Sequence, residues 1–396
     1  MFSKRAHWDL TPNPLASLRA AKDAAGVPVL DLTISNPTQA HLPVPDARLL
    51  DVLADPRALI YEPAPLGLPA AREAIARYYA GRGVGVDPAH IVLTASTSES
   101  YGFLFKLLCG AGDRVLVPTP SYPLFEYLAG LELVAIESYS LHFHLDWGMD
   151  IAEIEQLAGP PTRALLVVNP NNPTGSYLDE QERELLVEAL AGSDVALISD
   201  EVFADYPAGP DPRRVESLVE EDRVPTFVLG GFSKLLGLPQ LKLGWIVVNG
   251  PRAVRDEALR RLALIADTYL SVNTPVQIAV AALLERLPEL RGRIAERVAR
   301  NRAALAQIAA PPTIRLGAGG WSALLELPHG RNDEEWALYL LERHDVVVHP
   351  GYLFGFERDS MAVVSLLTPE DRLSEGMARI GRACATFPLT PHSAHL

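Results

Sequence analysis

An amide, a carboxylate and an amine close three apolar runs in series. "RALLVV" (163–168) runs into "NPNNPTG" (169–175), which carries Asn172; "ALISD" (196–200) ends on Asp200; "FVLGGFSK" (227–234) ends on Lys234. Two prolines and a glycine stop the first run from continuing as a strand. In an open α/β sheet, ligands bind beyond the carboxyl ends of the strands. If these runs are parallel neighbours, the three side chains meet on one rim. A lysine amine can condense with an aldehyde, a carboxylate can pair with a protonated ring nitrogen, and an amide can face a ring hydroxyl. The trio therefore suits a pyridine aldehyde held as an imine.

The elements that must position them are readable from hydrophobic pattern. Seven apolar, often β-branched runs stand out: "HIVLTA" (90–95), "RVLVP" (114–118), "LELVAI" (131–136), "RALLVVN" (163–169), "DVALISD" (194–200), "PTFVLG" (225–230) and "LGWIVVN" (243–249). Most are apolar on both faces, as strands of a helix-covered sheet are. Helical patterns such as Ser98–Leu108 and Glu180–Leu190 lie between them. The expectation is an α/β domain over 46–275, a mostly parallel seven-stranded sheet sandwiched by helices. After Pro275 comes long amphipathic helix, broken near Pro288, then strand-like "WSALLELP", "HDVVVHPG" and "MAVVSLL" with helices at 333–343 and 370–385. This reads as a smaller α+β domain, formed by 276–396 with the proline-rich residues 1–45 packed onto it.

Bulk properties exclude several function classes. With 396 residues and 48% apolar composition, a large core is available. The 49 acidic and 35 basic residues give a net charge of −14, which argues against nucleic-acid partners. Cys109 and Cys384 have no metal-like or CxxC spacing, and no histidine–carboxylate cluster has ligand spacing, so no metal is expected. The first residues lack a signal-peptide core, and no apolar run reaches the ~18–20 residues of a membrane helix. A reducing, cytoplasmic setting without membrane contact is the expectation.

"NPNNPTG", "SDEVFADY" and "FSKLLGLPQLKLGW", in this order and spacing, resemble the pyridoxal-phosphate-dependent aminotransferases of class I/II, the aspartate-aminotransferase-like fold type I, across roughly residues 30–370. The resemblance implies pyridoxal 5′-phosphate as cofactor. It implies that Lys234, after Ser233, forms the Schiff base and later carries the proton. Asp200 would keep the ring nitrogen protonated, Asn172 would bond the ring hydroxyl, and Tyr122 would stack on the ring. Ser96, Thr97 and Ser98 would cradle the phosphate, as a helix N-terminus can; they would equally serve as an ordinary helix cap. Tyr61, in "YEPAPLG", would reach the phosphate of a neighbouring subunit, implying a homodimer with active sites at the interface. Plainer readings are a core tyrosine for Tyr122 and a surface tyrosine for Tyr61.

Several positions depart from the family pattern. Phe203 stands where a tyrosine usually donates to the ring hydroxyl, so the Schiff base should stay protonated to higher pH. Lys242 replaces a phosphate-gripping arginine, losing the bidentate fork. Gly231 replaces a phosphate-binding serine. Val363 occupies the place of an arginine that binds the substrate carboxylate, and Ser35 that of a nearby glycine. Arg358, Lys242 and Asn36 are the candidate substitutes. Trp321, Tyr352, Phe354 and Phe356 suggest an aromatic wall. The leading reading is ping-pong transamination between an amino acid and a 2-oxo acid. A lyase, decarboxylase or oxidase using the same cofactor is the second, and a weakly catalytic cofactor-binding regulator or scaffold the third.

Overall fold

The computed structural model describes residues 2–386, apart from 44, 145 and 310. The main sheet contains β1 (Ile91–Thr94), β2 (Arg114–Thr119), β3 (Ala135–Phe143), β4 (Trp147–Met149), β5 (Thr162–Val168), β6 (Ala196–Asp200), β7 (Thr226–Gly231) and β8 (Gly244–Asn249). Their spatial order is β1-β8-β7-β6-β5-β2-β3-β4. The inner pairs β7–β6, β6–β5, β5–β2 and β2–β3 are parallel; β8 runs antiparallel between β1 and β7.

Alternate residues of the central strands feed two cores. Leu165, Val167, Leu197 and Val228 pack with α1 (Pro69–Ala80) on one face. Leu166, Val168, Ile198 and Leu229 pack with α2 (Thr97–Leu108) on the other. That double burial is why the runs read as apolar throughout. The helix α3 (Glu180–Leu190) starts with a capping box, Asp179 with Glu182, and joins the first face.

All seven expected runs lie in this sheet, with two differences. An eighth strand, β4, pairs antiparallel with β3 at the edge. Its three residues are too few for a periodic signal. The run "LELVAI" is only partly strand: a short helix ends at Leu131, Leu133 has φ +61°, and β3 begins at Ala135. β3 continues through largely solvent-facing positions, which hid it from an apolarity criterion.

After β7 come the one-turn α4 (Phe232–Leu235), α5 (Arg252–Tyr269), α6 (Thr274–Glu285) and α7 (Leu287–Ala306). Pro288 sits in the first turn of α7, where a missing N–H leaves no helix bond unmade. All but the first two residues of α6 lie beyond 275, yet Val276, Ala279, Val280 and Leu283 pack into the large-sheet core.

A second sheet holds β9 (Thr313–Arg315), β10 (Ser322–Glu326), β11 (His349–Pro350) and β12 (Met361–Ser365), antiparallel in the order β9-β10-β12-β11. One face, with Ala323, Leu325, Ala362 and Val364, packs with α8 (Asp333–His344) and α9 (Glu370–Thr386). The other carries Leu324, Met361 and Val363. The N-terminal segment lies on this smaller body: Leu30–Asp31 pair with Val346–Val347, Lys22 bonds Asp345 at 2.6 Å, and Leu32 enters its core.

Candidate active site

Because β5, β6 and β7 are parallel neighbours, their C-terminal ends share one rim. Asp200 is the last residue of β6 and is buried. Its Oδ2 accepts the Tyr101 hydroxyl at 2.8 Å and its Oδ1 the Val202 N–H at 3.1 Å. Among the described residues it makes no ion pair. Burial pushes its pKa above the usual carboxylate value, against the pull of these donors and of the Lys234 charge. Tyr101, on α2, is a site residue that sequence reading missed. The available signal was a phenol on an apolar helix face, four residues before Phe105, and it says nothing about which acid it will meet.

Lys234 lies on α4, immediately beyond β7. Tyr206 holds this turn, donating its hydroxyl to Lys234 O at 2.7 Å and sharing it with Leu235 O at 3.3 Å. Tyr206 is therefore committed to the backbone and does not replace the phenol missing at Phe203. The Lys234 Nζ has no hydrogen-bond or ion-pair partner among the described residues; it lies 5.5 Å from the Phe203 ring centroid and 5.2 Å from that of Trp321. Burial lowers its pKa, and the Asp200 charge partly opposes this. An amine so desolvated gives up its proton more readily and becomes a nucleophile.

The three asparagines of "NPNNPTG" divide their work. Asn169 accepts from Leu178 N–H at 3.0 Å and donates to Val215 O at 3.1 Å. Asn171 donates to Pro120 O at 2.9 Å and accepts the Ser121 hydroxyl at 2.7 Å. These two hold the turn. Asn172 instead reaches the small sheet, its Oδ1 accepting the Ser322 hydroxyl at 3.1 Å. Glycines allow that contact between the two bodies. Gly175 has φ +70°, and a Cβ there would lie 2.5 Å from Gly319 O. The "GAGG" loop thus presses on the turn and delivers Trp321 and Ser322 to the rim.

Ser96 caps α2, accepting the Glu99 N–H at 3.2 Å, so Thr97 and Ser98 head the helix with backbone N–H groups free of intrahelical partners. A Cβ on Gly244 would lie 3.0 Å from the Ser96 carbonyl carbon and 3.1 Å from Thr97 N; one on Gly231 would lie 3.1 Å from Leu243 O. The backbones of β7, β8 and the α2 N-terminus are thus too close for a serine at 231 without displacement. Lys242 is exposed, with φ +52°.

With this geometry in view, comparison with known proteins is decisive. The family model for aminotransferase class I and II matches residues 27–379. The chain belongs to the class I and II aminotransferases. It is 26% identical over 376 residues to the glutamate-pyruvate aminotransferase AlaA of Haemophilus influenzae, covering 91% of this chain and 92% of that one. It is 26% identical over 409 residues to human tyrosine aminotransferase, covering 97% and 89%. The solved alanine aminotransferase from Pyrococcus furiosus superposes with a TM-score of 0.85 at 25% identity, covering 97% of this chain and 100% of the other. The protein is a transaminase, and its cofactor is pyridoxal 5′-phosphate.

The residues present fit that cofactor. A buried carboxylate without a counter-ion suits a protonated ring nitrogen. An unpartnered amine suits the aldehyde. A backbone-lined helix N-terminus suits the phosphate. Tyr122 stands on the Asp200 side of the site; that charge, with burial as the larger cause, raises its pKa. Ser233 adjoins Lys234 on α4. Ile34, next to Ser35, packs in the cluster of Trp321 and Phe203, while the Asn36 Oδ1 is spent on the Thr38 N–H and hydroxyl at 3.0 and 2.8 Å.

Other expected residues stand apart from the amine. Tyr61 is 71% exposed and lines a surface groove with Leu270 and Ser271. Tyr352 lies near Asp333 and Glu334, on the first turn of α8. Val363 is 3% exposed, beneath Phe354, Phe356 and Trp147. Arg358 pairs with Glu326 at 3.1 Å, which removes it as a free carboxylate partner.

Proposed function

We propose that Lys234, Asp200, Asn172, Tyr122 and the N-terminus of α2 form the catalytic centre of this transaminase. The observation that carries this is the unpartnered Lys234 amine facing the buried Asp200 from an adjacent strand end. Lys234 would hold the cofactor covalently, Asp200 would accept its ring N–H, and Asn172, Ser96, Thr97, Ser98, Ser233 and Lys242 would bind its hydroxyl and phosphate. When bound, pyridoxal 5′-phosphate supplies the carbonyl that takes the amino group and the ring that accepts the electron pair left by the α proton.

This chain's residues do the rest. Lys234, once free, would take the proton from the substrate's α carbon, hold it on Nζ and give it up on the other side of the substrate nitrogen, two bonds away. Asp200 would be kept ionised by the cationic ring beside it, with Tyr101 and Val202 donating to its two oxygens against the effect of burial. Phe203 and Trp321 exclude water from the amine. Because the amino group is parked on the enzyme between two half-reactions, kinetics are ping-pong.

The division at 45/46 and 275/276 remains our proposal, with α6 docked on the large sheet. We further propose a homodimer and a cytoplasmic setting. Leu59, Ile60, Tyr61, Leu264 and Tyr269 are all more than half exposed, an apolar surface suited to a second copy. Tyr61 would then serve the neighbour's phosphate. Among the described residues, no helix is long and apolar enough to cross a membrane.

Adding an amino acid alone to the holoenzyme should change the cofactor absorbance and release 2-oxo acid equal in amount to the enzyme. Release of ammonia or peroxide instead would favour the elimination or oxidation reading.

A further inference from the structure

On the small-sheet side, an uncharged indole ring faces the reacting amine. Trp321 is 3% exposed, its ring centroid lies 5.2 Å from the Lys234 Nζ, and its indole N–H has no acceptor among the described residues. A donor stripped of water and left unpaired is costly, and in a ligand site it marks where an acceptor belongs. The next residue, Ser322, bonds Asn172 and stands opposite Ser365 across β10 and β12. The Ser365 Oγ accepts the Leu367 N–H at 3.2 Å. One step further along this face, Leu324 and Val363 pair, covered by Trp147, Phe354 and Phe356. Arg315 and Arg358 are both spent on Glu326, at 2.6 and 3.1 Å, and Arg302 is turned to the backbone of the glycine loop, donating to Gly317 O at 2.6 Å.

Resting on the reading of Lys234 above, we infer that the Trp321 N–H receives the oxygen-bearing group attached to the substrate's reacting carbon. This recognition is neutral. A cation-lined subsite rewards a carboxylate strongly; an indole N–H bonds a carboxylate oxygen more strongly than a carboxamide oxygen, but with no cation beside it that gain is offset by the larger cost of stripping water from the charged group. The site therefore accepts amino amides alongside amino acids, and Trp321 is a specificity-determining residue for both.

The test uses the holoenzyme with L-alanine, L-phenylalanine and their carboxamides, read by cofactor absorbance. The half-saturating concentration of each amide should lie within about tenfold of its acid. An amide weaker by more than about a hundredfold, as a charge-assisted subsite would make it, overturns the inference. In Trp321→Phe, KM for acid and amide should rise together by about 3- to 15-fold, a larger change than any fall in kcat. Unchanged KM values overturn it.

An independent readout needs no turnover. In protein labelled with 15N-tryptophan, the indole resonance that Trp321→Phe removes should move on adding propionate or propionamide. If neither acid nor amide alters the cofactor absorbance, the transamination reading fails; the indole resonance then decides the present inference, a shift with propionamide supporting it and no shift with either probe overturning it.

Discussion

At the rim of the large sheet the groups that matter are ionisable, and each is held by a neighbour: Asp200 by Tyr101 and Val202, and the Lys234 turn by Tyr206. Across from it, the bend before β10 offers an indole, and one face of the small sheet two hydroxyls and a run of apolar side chains, with Arg315 and Arg358 tied to Glu326. The rim is equipped for chemistry on the cofactor, and that equipment fits the family's shared reaction. On our proposal, the facing sheet touches what differs between substrates. The contrast teaches that reaction type and substrate range are encoded in separate layers here, joined at the Asn172–Ser322 contact.

The rim should be far less forgiving. Lys234→Ala should lower kcat/KM by about 10⁴-fold or more, in steady-state assays with saturating cofactor. In the cofactor-free protein the same residue should reveal its burial. The amine is held below its ordinary 10.5, so between its folded pKa and 10.5 the unfolded chain binds a proton the folded chain lacks. Stability attributable to Lys234 is therefore lost as pH falls through that window. Lys234→Met should abolish that slope in thermal melts.

Next in size, Asp200→Asn should cost about 10²- to 10³-fold in kcat. Tyr101→Phe removes one hydrogen bond to the same carboxylate and should cost about 10- to 100-fold, from about 1.5–3 kcal/mol for a bond to a charged acceptor. Equal losses would mean that Tyr101 does more than hold Asp200.

The joint between the layers is sharper to probe by backbone. Gly175→Ala places a Cβ against Gly319 O at positive φ. It should destabilise the fold by about 1–3 kcal/mol in urea titrations. It should also raise KM more than it lowers kcat, because it displaces Trp321 and Ser322 rather than Lys234.

The smallest effect concerns Phe203, whose ring lies 5.5 Å from the amine. Phe203→Tyr adds a phenol that can donate to the ring hydroxyl oxygen. The pH midpoint of the bound cofactor's absorbance change should fall by about one unit. An unchanged midpoint would mean that the phenol does not reach that oxygen.

How much of this was legible in sequence follows from the same contrast. Asn172, Asp200 and Lys234 each end an apolar run, so strand periodicity alone puts them on one rim once the strands are parallel. Strands buried on both faces announce themselves; β4, three residues at an edge, does not. Tyr101 and Ser322 carry no local signal, because their partners lie 99 and 150 residues away. Val363 could be matched to a position, but its burial under Phe354 and Phe356 depends on packing between segments. Subunit sharing tests the surface half of the reading: mixing Tyr61→Ala with Lys234→Ala protein should restore activity that neither has alone.

The most direct measurement is reduction of the holoenzyme with borohydride, followed by proteolysis and mass mapping. The cofactor should be found on the peptide carrying Lys234, and on no other lysine. A label on another lysine, or none at all with cofactor demonstrably bound, would contradict the account.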